Sequence, residues 1–214
     1  MFEALHEFDK AYVASAASLF NCWPINRSHR EEYLEVVISR ADPRFSAPFH
    51  TAFMRTLTEV NRWMPEMPYR DFDLHPSIGP LLSTSYLFEV VHHYLKHSNL
   101  GDWVISSEIY LQILTLLQTL ASRKELLELL MLPRRLKQAC GLQHMIWAQG
   151  EVIWEDGPDA ILPSLFDVTI ADDRPRQLLK FQGEMRTPHI KAKACDLSNQ
   201  IHKLQMVQLS GPDN

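Results

Sequence analysis

The chain has 214 residues, 46% of them hydrophobic and 22% charged, which is enough apolar material for a large packed core and too little charge for extended disorder. A net charge of −5 gives no overall attraction to a polyanion and sets nucleic acid aside as a partner. Cys22, Cys140 and Cys195 are too few and too scattered for a disulfide framework and fit a reducing compartment.

The N-terminal residues do not pair a basic segment with an apolar run, and no stretch reaches about 18 uninterrupted apolar residues. The expectation is a cytoplasmic or nuclear protein that does not engage a membrane.

In chain order, the spacing of Leu5, Phe8, Tyr12, Ala16 and Leu19 predicts a helix over 3–20, broken by Asn21-Cys22-Trp23-Pro24. Ser28-His29-Arg30-Glu31 has the form of a capping box opening a helix that runs to about Arg40. A third helix is expected from Pro48 to Trp63, with Phe49, Phe53, Leu57 and Val60 on its stripe. Pro65, Pro68, Pro76 and Pro80 make the next segment an ordered loop. A helix then runs from near Thr84 to His97, closed by Asn99-Leu100-Gly101.

The centre, Ile105 to Leu132, contains neither Gly nor Pro and is dominated by leucine. Ser122-Arg123-Lys124-Glu125 reads as a second capping box, dividing this stretch into two buried helices. Arg134 to Gln149 reads as a further helix, with a hairpin of 145–148 and 151–154 as the alternative; 155–173 reads as irregular. Thr187-Pro188 opens a last helix, along which Ile190, Ala194, Leu197, Ile201 and Leu204 recur at heptad spacing. That seam packs on its own domain or on a partner helix.

The fold class these elements define is all-α, an irregular multi-helix bundle or armadillo-like array. Residues 1–172 form the helical domain, and 173–214 form a basic helical extension that docks on it. The expected core includes Phe53, Leu57, Tyr86, Val90, Leu111, Leu114, Leu117, Leu120, Leu127 and Leu130.

Glu3-Ala4-Leu5-His6 and Glu89-Val90-Val91-His92 both match Glu-x-x-His, which on a helix puts both side chains on one face. Two such pairs with two more carboxylates hold a di-metal centre in ferritin-like bundles, so Glu3, His6, Glu89 and His92 are the candidate ligands of an alternative, enzymatic reading. Glu89, His93 and His97 form a second row at four-residue spacing. The bland reading of both is a polar helix edge. Phosphate-binding glycine loops, Gly-x-Ser-x-Gly and His-Glu-x-x-His are absent from the sequence, and no cofactor is expected. Arg134, Arg135 and Lys137, with Lys191 on the basic last helix, suggest a solvated face or a contact with an acidic partner. Ile201 and Leu204 complete the candidate partner-binding set.

The run Ser107-Glu108-Ile109-Tyr110-Leu111-Gln112-Ile113-Leu114, continued by Leu117, Leu120, Ala121-Ser122 and Leu126-Leu127, resembles helical regions beside the catalytic domain of large, inhibitor-of-apoptosis-like ubiquitin-conjugating proteins and their fungal relatives. The resemblance covers about 30 residues and implies an accessory helical module in ubiquitin transfer. It brings no catalytic residues, because His75-Pro76-Ser77 departs from the His-Pro-Asn signature of the conjugating domain and no cysteine follows in the expected neighbourhood. The expectation is a non-enzymatic module that binds a protein partner, against the alternative of an α-helical enzyme with a metal site or an apolar substrate pocket.

Overall fold

Helix α1 (Phe2–Phe20) buries Leu5, Phe8, Tyr12 and Ala16 and ends where Asn21 turns left-handed at φ 49°, a conformation Asn tolerates. The computed structural model describes residues 1–64, 76–97, 99–137, 142, 152–157 and 160–209. Among them the structure is all-α apart from one two-stranded pair. No helix among them is long and apolar enough to cross a membrane.

Several helix starts differ from the sequence expectation. Helix α2 (Arg27–Ile38) begins earlier because its cap is Asn26, not Ser28. The Asn26 side chain accepts from the His29 N–H at 3.0 Å, and the Asn26 N–H donates back to His29 Nδ1 at 3.5 Å. His29 thus takes the role expected of Glu31. Helix α3 (Pro43–Trp63) starts five residues before Pro48, because Asp42 accepts from Arg44 N–H at 3.0 Å and Pro43 is preset for a first helical position.

The helix expected from Thr84 to His97 is α5 (Leu87–Lys96), which starts after an extended Ser85; a separate helix, α4 (Ile78–Thr84), precedes it and begins within the segment expected to be loop. Asn99 opens a helix: it caps α6 (Leu100–Ile105) by accepting from Gly101 N–H at 2.9 Å. A Cβ at Gly101 would lie 3.1 Å from that same Asn99 oxygen. The central stretch divides as expected into α7 (Ser107–Ala121) and α8 (Lys124–Met131). The Ser122 capping box does not form, because the Ser122 hydroxyl donates back to Thr119 O of α7 at 2.9 Å.

Residues 134–137 are extended, not helical. Strands β1 (Arg134–Arg135) and β2 (Ile161–Leu162) pair antiparallel, and Lys137 bridges to Trp154. Leu136 N–H donates to Ala160 O at 2.7 Å and Leu136 O accepts from Glu155 N–H at 3.0 Å, so this backbone is satisfied by distant chain. The alternative hairpin's 145–148 arm lies outside the described residues. The segment expected to be irregular holds α9 (Leu165–Ile170), capped by Ser164, whose Oγ accepts from Asp167 N–H at 3.0 Å. Helices α10 (Arg174–Glu184) and α11 (Pro188–Leu209) follow.

The helices group into two units. The first comprises residues 1–93 and 134–162, and the second 94–133 and 163–214. In the first, α1, α2 and α3 pack around Phe8, Tyr12, Tyr33, Phe49 and Phe53. Ring centroids of Phe8 and Phe53 are 5.7 Å apart and those of Tyr12 and Phe49 6.2 Å, so α1 and α3 run antiparallel. In the second, α11 lies on α7 and α10. Of the expected core, Leu111 and Leu127 are only half-buried; Leu126 takes the inward place on α8.

Candidate functional site

The first unit encloses four charged side chains that α1, α2, α5 and the β1 segment deliver to one place. Asp9 and Arg30 are completely buried, Lys137 is buried, and the Glu89 side chain is 12% exposed. Asp9 lies on the apolar face of α1, one turn from Leu5, and Arg30 lies on that of α2 beside Tyr33 and Leu34. Nothing but tertiary partners could keep such charges there.

Arg30 Nε donates to Glu89 Oε1 at 2.9 Å and its Nη2 donates to Lys137 O at 2.6 Å. Lys137 Nζ donates to the carbonyls of Thr84 and Ser85 at 2.7 and 2.6 Å, neutralising the C-terminal end of α4. Asp9 Oδ1 accepts from the Ser85 hydroxyl at 2.8 Å and from Tyr86 N–H at 2.9 Å. The Tyr86 ring meets both cations, its centroid 5.2 Å from the Arg30 guanidinium carbon and 5.6 Å from Lys137 Nζ. Tyr12 OH approaches Glu89 Oε1 at 3.5 Å.

Burial lifts the Asp9 carboxyl to about 7 against the opposing pull of Lys137 and of its hydrogen bonds to Ser85 and Tyr86. Burial is the largest single influence and opposes the charge on Arg30, but Glu89, Tyr86 and Tyr12 together outweigh it and the guanidinium is held protonated more firmly than usual. Burial first, and Glu89 second, raise the Tyr12 phenol well above its ordinary value.

The four candidate metal ligands do not gather as one site among the described residues. The Glu89 carboxylate is taken by Arg30 and Tyr12; His92 is buried; Glu3 is exposed; and His6 stacks on Phe2 with ring centroids 6.1 Å apart. Among the described residues no three His, Cys, Asp or Glu side chains gather as a metal site. The second row is dispersed too, since His93 pairs with Glu35 at 3.1 Å and His97 with Asp102 at 2.7 Å.

The expected basic face is also redistributed. Lys137 is an internal cation. Arg134 packs its guanidinium 4.1 Å from the Phe88 ring centroid, and burial lowers its pKa to about 10. Arg135 remains at the surface, donating to Glu155 O at 2.9 Å and pairing with Asp156. In the second unit Lys191 is half-exposed, whereas Ile201 and Leu204 are buried in the packing of α11 and unavailable to a partner. There Arg174 is buried as well, donating to Leu95 O with its guanidinium carbon 4.9 Å from the Trp103 ring centroid; Trp103 Nε1 donates to His97 O at 2.8 Å. Both side chains serve the carbonyls at the end of α5.

Among the described residues, one accessible feature of the first unit is a groove of about 510 Å³ between α1 and α3. Ala4, Phe8, Ala11 and Ala52 contribute to its lining, with Glu3, Glu7, Glu59, Arg55 and Trp63 around them. Sequence spacing did not reveal it, because apart from the buried Phe8 and Thr56 its lining comes from positions beside the core stripes of α1 and α3, which read as ordinary surface. None of the four buried charges lines it. No family model, curated protein or solved structure matches the chain, and nothing ties it to the ubiquitin-conjugating proteins its leucine-rich stretch resembles.

Proposed function

We propose that the protein is a non-enzymatic helical interaction module of the cytoplasm or nucleus, and that it receives its partner in the groove between α1 and α3. One observation carries this reading. The charged side chains inside the first unit are engaged with one another and with backbone, while those around the groove, Glu3, Glu7, Glu59 and Arg55, make no ion pair among the described residues. Charges locked into a core organise packing. Charges left unmatched beside an apolar floor are free to meet a partner.

A photo-crosslinking amino acid at Ala11, on the groove, tests the reading against one at Ala192, exposed on α11. Protein adducts are expected from position 11 and not from 192, and Ala52→Trp, which fills the groove, should remove them. Adducts at both positions alike, or none from Ala11, would overturn the assignment.

A further inference from the structure

We infer, resting on that reading, that the groove takes an amphipathic helix of a different protein, with Lys or Arg presented to the end formed by Glu3, Glu59 and Trp63. The shape argues for a helix. The lining runs from Met1 to Ala11 on α1 and from Ala52 to Trp63 on α3, each about 15 Å at the helical rise of about 1.5 Å per residue. That length holds about three turns of a third helix. Ala4, Ala11 and Ala52 each project only a methyl group, which permits the close axial approach that ridge-and-groove packing needs.

The charge argues for a basic helix. The groove is net acidic, its three carboxylates standing against one guanidinium and the Met1 α-ammonium, none of them ion-paired among the described residues. Glu3 and Glu7 stand four residues apart on α1, a like-charge pair that weakens a helix and that a cation between them relieves. Glu3, in the first turn, is favoured by the helix dipole; Glu7 and Glu59 have no such local reason to be acidic. Because α1 and α3 are antiparallel, Glu59 and Trp63 share the end at which α1 begins. Trp63 is 50% exposed there, and an indole face beside carboxylates is a seat for a guanidinium or ammonium group. The chain's own basic helix does not supply the occupant, because Ala194, Leu197, Ile201 and Leu204 of α11 are already buried within the second unit and leave it no apolar face to offer.

The test is a displayed library of helix-forming peptides of about 16 residues, selected on the full chain and counter-selected on Ala52→Trp. Recovered peptides are expected to carry net positive charge and to bind at least about fivefold more weakly to the double variant Glu7→Gln/Glu59→Gln, with affinity falling as salt rises. Ala11→Trp, at an exposed helix position, provides a second blocked groove if Ala52→Trp perturbs folding. Recovery of neutral or acidic peptides, or of peptides indifferent to both blocking variants, overturns the inference. If position-specific adducts at Ala11 persist in that case, the interaction module stands with a partner of other chemistry; if they too are missing, both readings fall.

Discussion

Arg30 Nε lies 2.9 Å from Glu89 Oε1, and this ion pair ties α2 to α5 with both side chains withdrawn from water. Desolvating two charges costs several kcal/mol each, on the order of what their attraction returns, so the pair contributes more to which packing is chosen than to net stability. Breaking it from one side is another matter. Arg30→Met leaves the Glu89 carboxylate without its cation, the Tyr12 hydroxyl 3.5 Å away, and should cost about 3–5 kcal/mol, read from urea unfolding. Arg30→Met/Glu89→Leu should recover much of that loss. A double variant as unstable as the sum of the singles would show that the two act independently.

Lys137 has a different task. Its ammonium closes the carbonyls of Thr84 and Ser85 and is the largest opposing influence on the raised Asp9 carboxyl. Lys137→Met keeps the aliphatic stem and removes both effects, so about 2–4 kcal/mol of stability should be lost through unsatisfied carbonyls and an uncompensated buried acid. Hydrogen exchange should localise the damage, with amide protection near Ser85 and Tyr86 falling more than that of α3.

The periodicity of apolar residues made most helices and the all-α class readable, because a stripe such as Leu5, Phe8, Tyr12 and Ala16 has one geometric solution. Helix starts were less readable. Asn26 competes with Ser28 on equal terms as a cap, and whether Ser122 reaches forward to α8 or back to Thr119 is decided by local geometry that spacing does not carry. Ser164 with Asp167 was a cap signal present in the sequence, hidden beside Pro163 in a stretch that read as irregular. The buried charges also left a trace, since Asp9 and Arg30 occupy core phases of amphipathic helices. Their partner Lys137 did not: beside Arg134 and Arg135 it looks like one more surface base. Its burial depends on β1 pairing with residues 26 positions away or more, a relation no local pattern encodes.

Two titrating groups, the buried Asp9 and the half-buried His50, should act on stability with opposite sign. Asp9 ionises near 3.8 when unfolded and near 7 when folded, so between those pH values the folded chain holds the extra proton and stability falls as pH rises. For His50, burial first and Arg40 second bring the folded value down to about 4 from 6.5. In that window the unfolded chain holds the extra proton, and stability rises with pH. Their contributions therefore oppose each other between about pH 4 and 6.5, and only the fall due to Asp9 continues to about pH 7. Asp9→Asn should unmask a stability that climbs with pH up to about 6.5, and His50→Gln one that declines up to about 7. Chemical denaturation at half-unit pH steps checks both slopes; two variants with parallel profiles would contradict the assignment.

The heptad row of α11 separates packing from surface chemistry within the second unit. Leu204 and Ile201 are buried where α11 crosses α7 and α10, and the Gln118 amide donates to Gln200 O at 2.9 Å along the same seam. Removing three carbons from Leu204 leaves a cavity between helices whose neighbours are fixed on both sides, so Leu204→Ala should cost about 2–5 kcal/mol. Lys191→Ala, one face away and half-exposed, should stay within about 0.5 kcal/mol of the parent. Thermal unfolding of the two variants decides the point. If Leu204→Ala melts with the parent while Lys191→Ala does not, the seam is not packed as α11 shows it, and its leucines return to the set of residues available to a partner.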